Sequence, residues 1–209
     1  MSIRIPEGGT VLFQGDSITD CGRSRRDDGQ LGEGYANMVA AWYTAAHSKR
    51  RVRFLNRGVS GSRMNDLQRR WQIDCIDLRP NVLSILIGIN DVCRRYDCGD
   101  PTSCDAFEAG YRDLLSRVRD KLHGGLLLLE PFLVPTSPSQ EIWHEDLDPK
   151  RAVVRELAEE FDATFVPLQQ IFRDASGRSA PAFWATDGVH PSLPGHELIA
   201  RAWLSAIDA

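Results

Sequence analysis

Short apolar runs alternate along the chain with longer stretches in which apolar residues recur every three or four positions. Val11-Leu12-Phe13 is the first run, and it stops abruptly at Gly15-Asp16-Ser17-Ile18-Thr19-Asp20. A polar, Arg-rich segment from Cys21 to Gly32 follows. Then Tyr35, Met38, Val39, Trp42, Tyr43 and Ala46 fall on one face of an amphipathic helix. Val52-Arg53-Phe54-Leu55 reads as a second strand, ending at Asn56-Arg57-Gly58-Val59-Ser60-Gly61. A helix from Met64 to Leu78 is predicted next, stopped by Pro80. Val82 to Ile87 is nearly all apolar, the pattern of a parallel strand covered on both faces, and it ends at Gly88-Ile89-Asn90-Asp91. A polar insertion, Arg94 to Ser103, precedes a helix striped by Phe107, Tyr111, Leu114, Leu115, Val118 and Leu122. Leu126 to Leu129 is the fourth strand, followed by a Pro/Ser loop from Val134 to Gln140. Val153, Val154, Leu157, Ala158 and Phe161 mark another helix, Thr164-Phe165-Val166 a fifth strand, and Leu168 to Phe172 a short helix. The last helix runs from Pro194 to Ile207 and turns Leu198, Ile199, Ala202, Trp203 and Ile207 inward.

Strands that alternate with helices build a parallel sheet with helices on both faces. Right-handed crossovers favour the strand order 2-1-3-4-5. No repeat or long linker divides the sequence, so residues 1–209 are expected to form a single domain. In such a sheet every strand ends on one edge, the edge where open α/β folds bind ligands.

Composition removes several classes of function. A net charge of −4 gives no basic footprint for nucleic acid. No window approaches the ~18 unbroken apolar residues of a membrane span. The first residues, Met1 to Gly9, contain no apolar core of a signal peptide, so the expected location is the cytoplasm. The odd set Cys21, Cys75, Cys93, Cys98 and Cys104 argues for free thiols, although Cys98 and Cys104 flank one short loop. There is no Cys-x-x-Cys or His-Glu-x-x-His, so neither a metal nor another cofactor is expected. Neither glycine pattern of the phosphate-binding loops occurs.

The strand ends carry the chemistry. Ser17 follows strand 1, Gly58 follows strand 2, Asn90 follows strand 3, and Asp187 and His190 lie in the loop before the last helix. Asp-x-x-His fits one tight turn, in which the carboxylate holds one ring nitrogen and leaves the other to accept the serine proton. An acyl intermediate also needs donors at its oxyanion. The expected donors are the backbone N–H groups of Ser17 and Gly58 and the side-chain amide of Asn90. Each residue has an ordinary alternative: Ser17 could cap a helix, Asp187 could do the same, and Asn90 and Gly58 could be turn residues. Asp16, Asp91 and His196 are read as structural, the two carboxylates bracing backbone and His196 securing the first turn of the last helix. It is the joint occurrence, in order and each at a strand end, that the ordinary alternatives leave unexplained.

Gly15-Asp16-Ser17-Ile18-Thr19, Asn56-x-Gly58, Gly88-x-Asn90-Asp91 and Asp187-x-x-His190-Pro191 resemble the four signature blocks of the SGNH (GDSL-type) hydrolases. The resemblance implies a three-layer α/β/α flavodoxin-like sandwich with Ser17 as nucleophile, His190 as base and Asp187 as its partner. Ser17, Gly58 and Asn90 would form the oxyanion hole. The wording around Asp20-Cys21-Gly22-Arg23, Gly32-x-Gly34-Tyr35, Arg70-Trp71 and Arg95-Tyr96-Asp97 is similar to the intracellular acetylxylan-esterase branch. This implies removal of O-acetyl groups from a xylan or xylo-oligosaccharide, a small-molecule or oligosaccharide ester, with homo-oligomers left open. One departure stands out: Trp184 is separated from Asp187 by Ala185 and Thr186, where the branch places Trp next to the acid. A lysophospholipase or thioesterase of the same superfamily would want an extended apolar groove. A non-catalytic binding module would have no need of the triad.

Overall fold

The computed structural model describes residues 3–207. Its centre is a five-stranded, all-parallel sheet in the order β2-β1-β3-β4-β5, as expected. The strands are β1 (Thr10–Gly15), β2 (Arg53–Asn56), β3 (Val82–Leu86), β4 (Gly125–Leu129) and β5 (Thr164–Val166). Around them lie α1 (Ser17–Asp20), α2 (Tyr35–Ala46), α3 (Met64–Asp74), α4 (Ile89–Cys98), α5 (Cys104–Val118), α6 (Pro138–Glu141), α7 (His144–Glu160), α8 (Leu168–Ser176), α9 (Pro181–Trp184) and α10 (Leu193–Ala206).

Side chains of a strand alternate between faces, and that alternation divides the core in two. Val11, Phe13, Val82, Leu86, Leu127, Leu129 and Val166 pack under α2, α8 and α10. Leu12, Leu55, Leu83, Ile85, Leu126 and Leu128 pack under α3, α5 and the C-terminal half of α7. Ser84, between Val82 and Leu86, is a polar residue on the α10 side, and the Trp203 indole N–H satisfies it at 3.0 Å.

Three local expectations change. Trp42 is 65% exposed, because α2 turns Tyr35, Val39 and Tyr43 inward and their arc stops short of position 42. The first half of the expected insertion, Arg94 to Cys98, is instead the end of helix α4, whose first turn carries Asn90. Ile89, Val92, Cys93 and Tyr96 recur at i, i+3, i+4 and i+7 on its packed side, a helical stripe that runs on past Arg94, and Gly99 in a left-handed conformation ends it. Helix α7 begins at His144, well before Val153. Pro149 lies within it, and the buried Lys150 ammonium is held by Asp146 at 2.7 Å.

Arg70 secures the carboxyl edge of the sheet. From α3 its guanidinium donates to the carbonyls of Gly15 and Arg57, at the ends of β1 and β2, and to Gln14 Oε1 and Asp74 Oδ2. A buried carbonyl left without a donor costs about 1–3 kcal/mol. The Gly15 carbonyl would keep the Val59 N–H, but the Arg57 carbonyl and the buried Gln14 Oε1 have no other donor among the described residues, so Arg70→Met should lower unfolding stability by about 2–4 kcal/mol. A change in the urea midpoint equivalent to less than about 0.5 kcal/mol, the usual range of a surface substitution, would contradict this assignment.

Candidate active site

The turn after β1 is dictated by space. A Cβ on Gly15 would collide with the Leu86 carbonyl of the neighbouring strand and with the Thr19 side chain, so only glycine fits. Asp16 then caps α1, its Oδ1 accepting from the Ile18 N–H at 3.0 Å. Capping thus falls to Asp16, and the Ser17 hydroxyl stays free. As the first residue of α1, Ser17 also has a backbone N–H with no intrahelical acceptor.

Ser17 Oγ lies 2.9 Å from His190 Nε2, and His190 Nδ1 lies 2.7 Å from Asp187 Oδ2. A carboxylate only accepts, so Nδ1 carries the proton and Nε2 faces the serine as an acceptor. Asp187 Oδ1 accepts from the N–H groups of Val189 at 3.0 Å and His190 at 2.7 Å. Partial burial alone would raise the Asp187 carboxyl. These donors and the His190 ring more than offset it, and its pKa lies below the ordinary 3.8.

Asn90 donates one amide hydrogen to the Ser62 carbonyl at 3.2 Å, leaving its second hydrogen available. Gly58 departs from expectation. Its N–H is donated to Asn56 Oδ1 at 2.8 Å, its carbonyl accepts from Arg23, and its missing side chain makes room for the Thr19–Asp20 backbone. Asn-x-Gly here is an Asx turn that consumes the donor, a signal already present in the sequence. Gly61, three residues on, is at φ 77 and makes no N–H hydrogen bond among the described residues. It adjoins Ser62, whose carbonyl holds Asn90, and faces the Arg94 side chain.

The other conspicuous residues are structural. Asp91 accepts from the Met64 N–H at the start of α3. His196 Nδ1 accepts from the Tyr35 N–H, so its Nε2–H points at Cys21 Sγ 3.3 Å away. It therefore secures the start of α2; its own helix is capped by Ser192. Burial, and then His190, push its pKa down to about 4, which keeps it neutral. Trp184 is buried, with the Arg178 guanidinium 5.4 Å from its ring, and exposed Thr186 precedes the acid. All five cysteines are free thiols. Among the described residues no three His, Cys, Asp or Glu side chains gather as a metal site, and no helix is long and apolar enough to cross a membrane.

The family model of the GDSL-like lipases and acylhydrolases matches residues 13–198. The chain belongs to this family. An acetylxylan esterase of Geobacillus stearothermophilus is 38% identical to it over 213 residues, which cover 98% of this chain and 96% of the relative. A crystal structure of that enzyme superposes with a TM-score of 0.92 at 37% identity, covering 100% of this chain and 97% of the other. A protein of Parabacteroides merdae described as a GDSL-like lipase superposes with a TM-score of 0.94 at 36% identity, covering 99% and 98%. Other solved structures of the Geobacillus enzyme are catalytic mutants at a serine, a histidine and an aspartate.

In this GDSL-family chain the aspartate before the serine is the least comfortable group. Asp16 is fully buried, and its Oδ2 has no partner among the described residues. Burial pushes its pKa from 3.8 up to about 7, against the pull of the Ile18 N–H and His190. Between those values the folded state holds a proton that the unfolded state has lost, so stability falls as pH rises through the window, by up to ~1.4 kcal/mol per pH unit. Asn at this position keeps the cap and removes the titration. The stability of Asp16→Asn relative to wild type should therefore grow from pH 4 to pH 7. Parallel urea-denaturation curves across that range test it, and a constant difference would refute it.

Proposed function

We propose that the protein is a serine esterase that removes O-acetyl groups from a xylan-type carbohydrate through an acetyl-enzyme. The observation that carries the reading is the continuous hydrogen-bond chain Ser17–His190–Asp187 at a strand end. The near-full-length likeness to an acetylxylan esterase supports the substrate class. The catalytic mutants of that relative involve the same three residue types.

In this scheme Ser17 Oγ attacks the acetyl carbonyl carbon as its proton passes to His190 Nε2. Asp187, held ionised by its donors, keeps Nδ1 protonated and stabilises the imidazolium. The carbonyl oxygen becomes an oxyanion, which the Ser17 N–H and the free Asn90 amide hydrogen meet. Gly61 replaces Gly58 as the third donor, since its N–H is uncommitted and its loop adjoins Asn90. Collapse expels the sugar oxygen, which takes the proton from His190. Water then repeats the sequence on the acetyl-serine and returns acetate.

Ser17→Ala should cost several orders of magnitude in kcat while the fold persists. A fluorophosphonate should label Ser17, as mapped by mass spectrometry; an active sample labelled at another serine would exclude the assignment. Acetyl should be the preferred acyl group, since each methylene that does not fit costs ~1–3 kcal/mol at the transition state. A profile rising toward octanoyl esters would instead favour a lysophospholipase or thioesterase.

Only the neutral His190 ring can take the Ser17 proton, so kcat/KM should climb from acid pH to a plateau. Asp187 lies below its ordinary value and adds no limb near neutrality. Asp187→Asn should lower kcat by about 10⁴ by favouring the wrong tautomer. His196→Ala should retain far more activity than His190→Ala. Equal loss in two folded histidine variants would overturn the choice of base.

A further inference from the structure

The turn that carries Asp187 and His190 is tied to the sheet by a side chain that the acyl-transfer scheme leaves unused. Gln140, in the single-turn helix α6, donates from Nε2 to the Asp187 carbonyl at 2.7 Å. Its Oε1 accepts from the Thr136 N–H at 2.8 Å and from the Thr136 hydroxyl at 3.0 Å. The amide has only one consistent orientation, because the Thr136 N–H can only donate and the Asp187 carbonyl can only accept. The same amide lies against Gly188, at φ 86, where a Cβ would stand 2.7 Å from Gln140 Oε1 and 3.0 Å from the Val134 carbonyl.

Among the described residues, hydrogen bonds between residues 186–189 and anything outside the 183–192 segment come from two places. Val134 donates its N–H to the Gly188 carbonyl at 2.9 Å, one residue past the acid. Gln140 holds the carbonyl of the acid itself. The remaining bonds, Thr186 N–H to His190 O, Gly188 N–H to Ala185 O and the two donors to Asp187 Oδ1, shape the turn without placing it. Val189 and Ala185 seat the turn in the core, but the side chains of Asp187 and His190 are both more than half exposed, so their aim is left to hydrogen bonds.

Gln140 also connects the acid to the helix of the amide donor. Its carbonyl accepts from the Trp143 N–H at 3.0 Å. The Trp143 ring stacks on Tyr96 with centroids 5.5 Å apart and planes 11° from parallel, and the Tyr96 hydroxyl donates to the Ile142 carbonyl at 3.0 Å. Tyr96 belongs to α4, whose first turn carries Asn90.

We infer that Gln140 is a positioning residue: through the Asp187 carbonyl it sets where the Asp187 carboxylate meets His190 Nδ1, and hence where Nε2 meets Ser17. The inference rests on the acetylesterase reading, since Gln140 acts through Asp187 and His190. A misplacement of about 1 Å in such a site can cost ~10²-fold in rate.

The test compares Gln140→Met, which keeps the volume and loses both polar atoms, with the isosteric Gln140→Glu, using p-nitrophenyl acetate. In Gln140→Met, kcat should fall by roughly 10–100-fold, with KM nearly unchanged. In Gln140→Glu the acceptor for Thr136 survives, but only the protonated acid can donate to the Asp187 carbonyl. The ratio of its kcat to that of wild type should therefore rise as pH falls. A brace with no positioning role would lower the melting temperature, leave kcat per folded molecule unchanged and give a pH-independent ratio; that result overturns the inference.

Failure of the esterase reading would look different. Wild type itself would hydrolyse no ester, and Ser17 would take no fluorophosphonate. The His190 Nδ1 proton would then still report on position by NMR. Its resonance should broaden or exchange faster in Gln140→Met, and an unchanged resonance would dismiss the role of Gln140.

Discussion

All five strands of the sheet run in one direction, and the rest of the molecule follows from that constraint. A parallel strand can be followed by another only through a crossover, so helices must cover both faces. The two apolar clusters, one for each parity of strand residue, are the energetic consequence. The chemical consequence is that every strand delivers its carboxyl end to the same edge. Strand β1 lies between β2 and β3. The chain leaves β1 toward α2 on one face and leaves β3 toward α5 on the other, which opens a crevice between the two strand ends. Ser17 stands on one side of that crevice and Asn90 on the other.

Holding loops at such an edge requires polar groups in places that water does not reach. Arg70 gathers the carbonyls of Gly15 and Arg57, and Asn56 bonds to the carbonyls of Thr19 and Leu31 while accepting from Gly58. Asp20 accepts from the Ser60 backbone and hydroxyl. These bonds join the loops after β1 and β2 into one body, so that Ser17 is presented from a rigid surface. Asp16 is the costly member, a buried carboxyl with one oxygen satisfied and the other bare. It stands directly beside Ser17, where it caps the first turn of α1.

His190 and Asp187 are held in another manner. They sit on a turn outside the sheet, exposed to solvent, and they reach Ser17 across a sequence separation of 173 residues. Their internal geometry comes from three bonds to the Asp187 carboxylate. Their position comes from the burial of Val189 and Ala185 and from the loop after β4, through Val134 and Gln140. Ser17 and the His190–Asp187 pair thus depend on different parts of the fold.

The strand-end positions of Ser17 and Asn90 and the pairing of Asp187 with His190 were legible in the chain because each follows a local pattern: a strand that ends abruptly, or an acid and a histidine spaced for one turn. The strand order was legible for the same reason, since alternating runs leave few right-handed topologies. What the sequence could not settle was which partner each polar group takes. Gly58 and Gly61 share one loop; Asn-x-Gly hints at an Asx turn, and the folded chain shows that the turn forms and that Gly58 has already given away its N–H. His196 looks like a cap for its own helix, yet packing turns it toward α2. Trp42 fits the helical stripe, but the width of the contact with α10 leaves it outside. The role of Gln140 has no trace in the sequence, because polar residues carry no periodic signal of burial. Apolar periodicity is a property of neighbouring residues and can be read along the chain; hydrogen-bond pairing between distant loops exists only once the sheet has brought them to one edge.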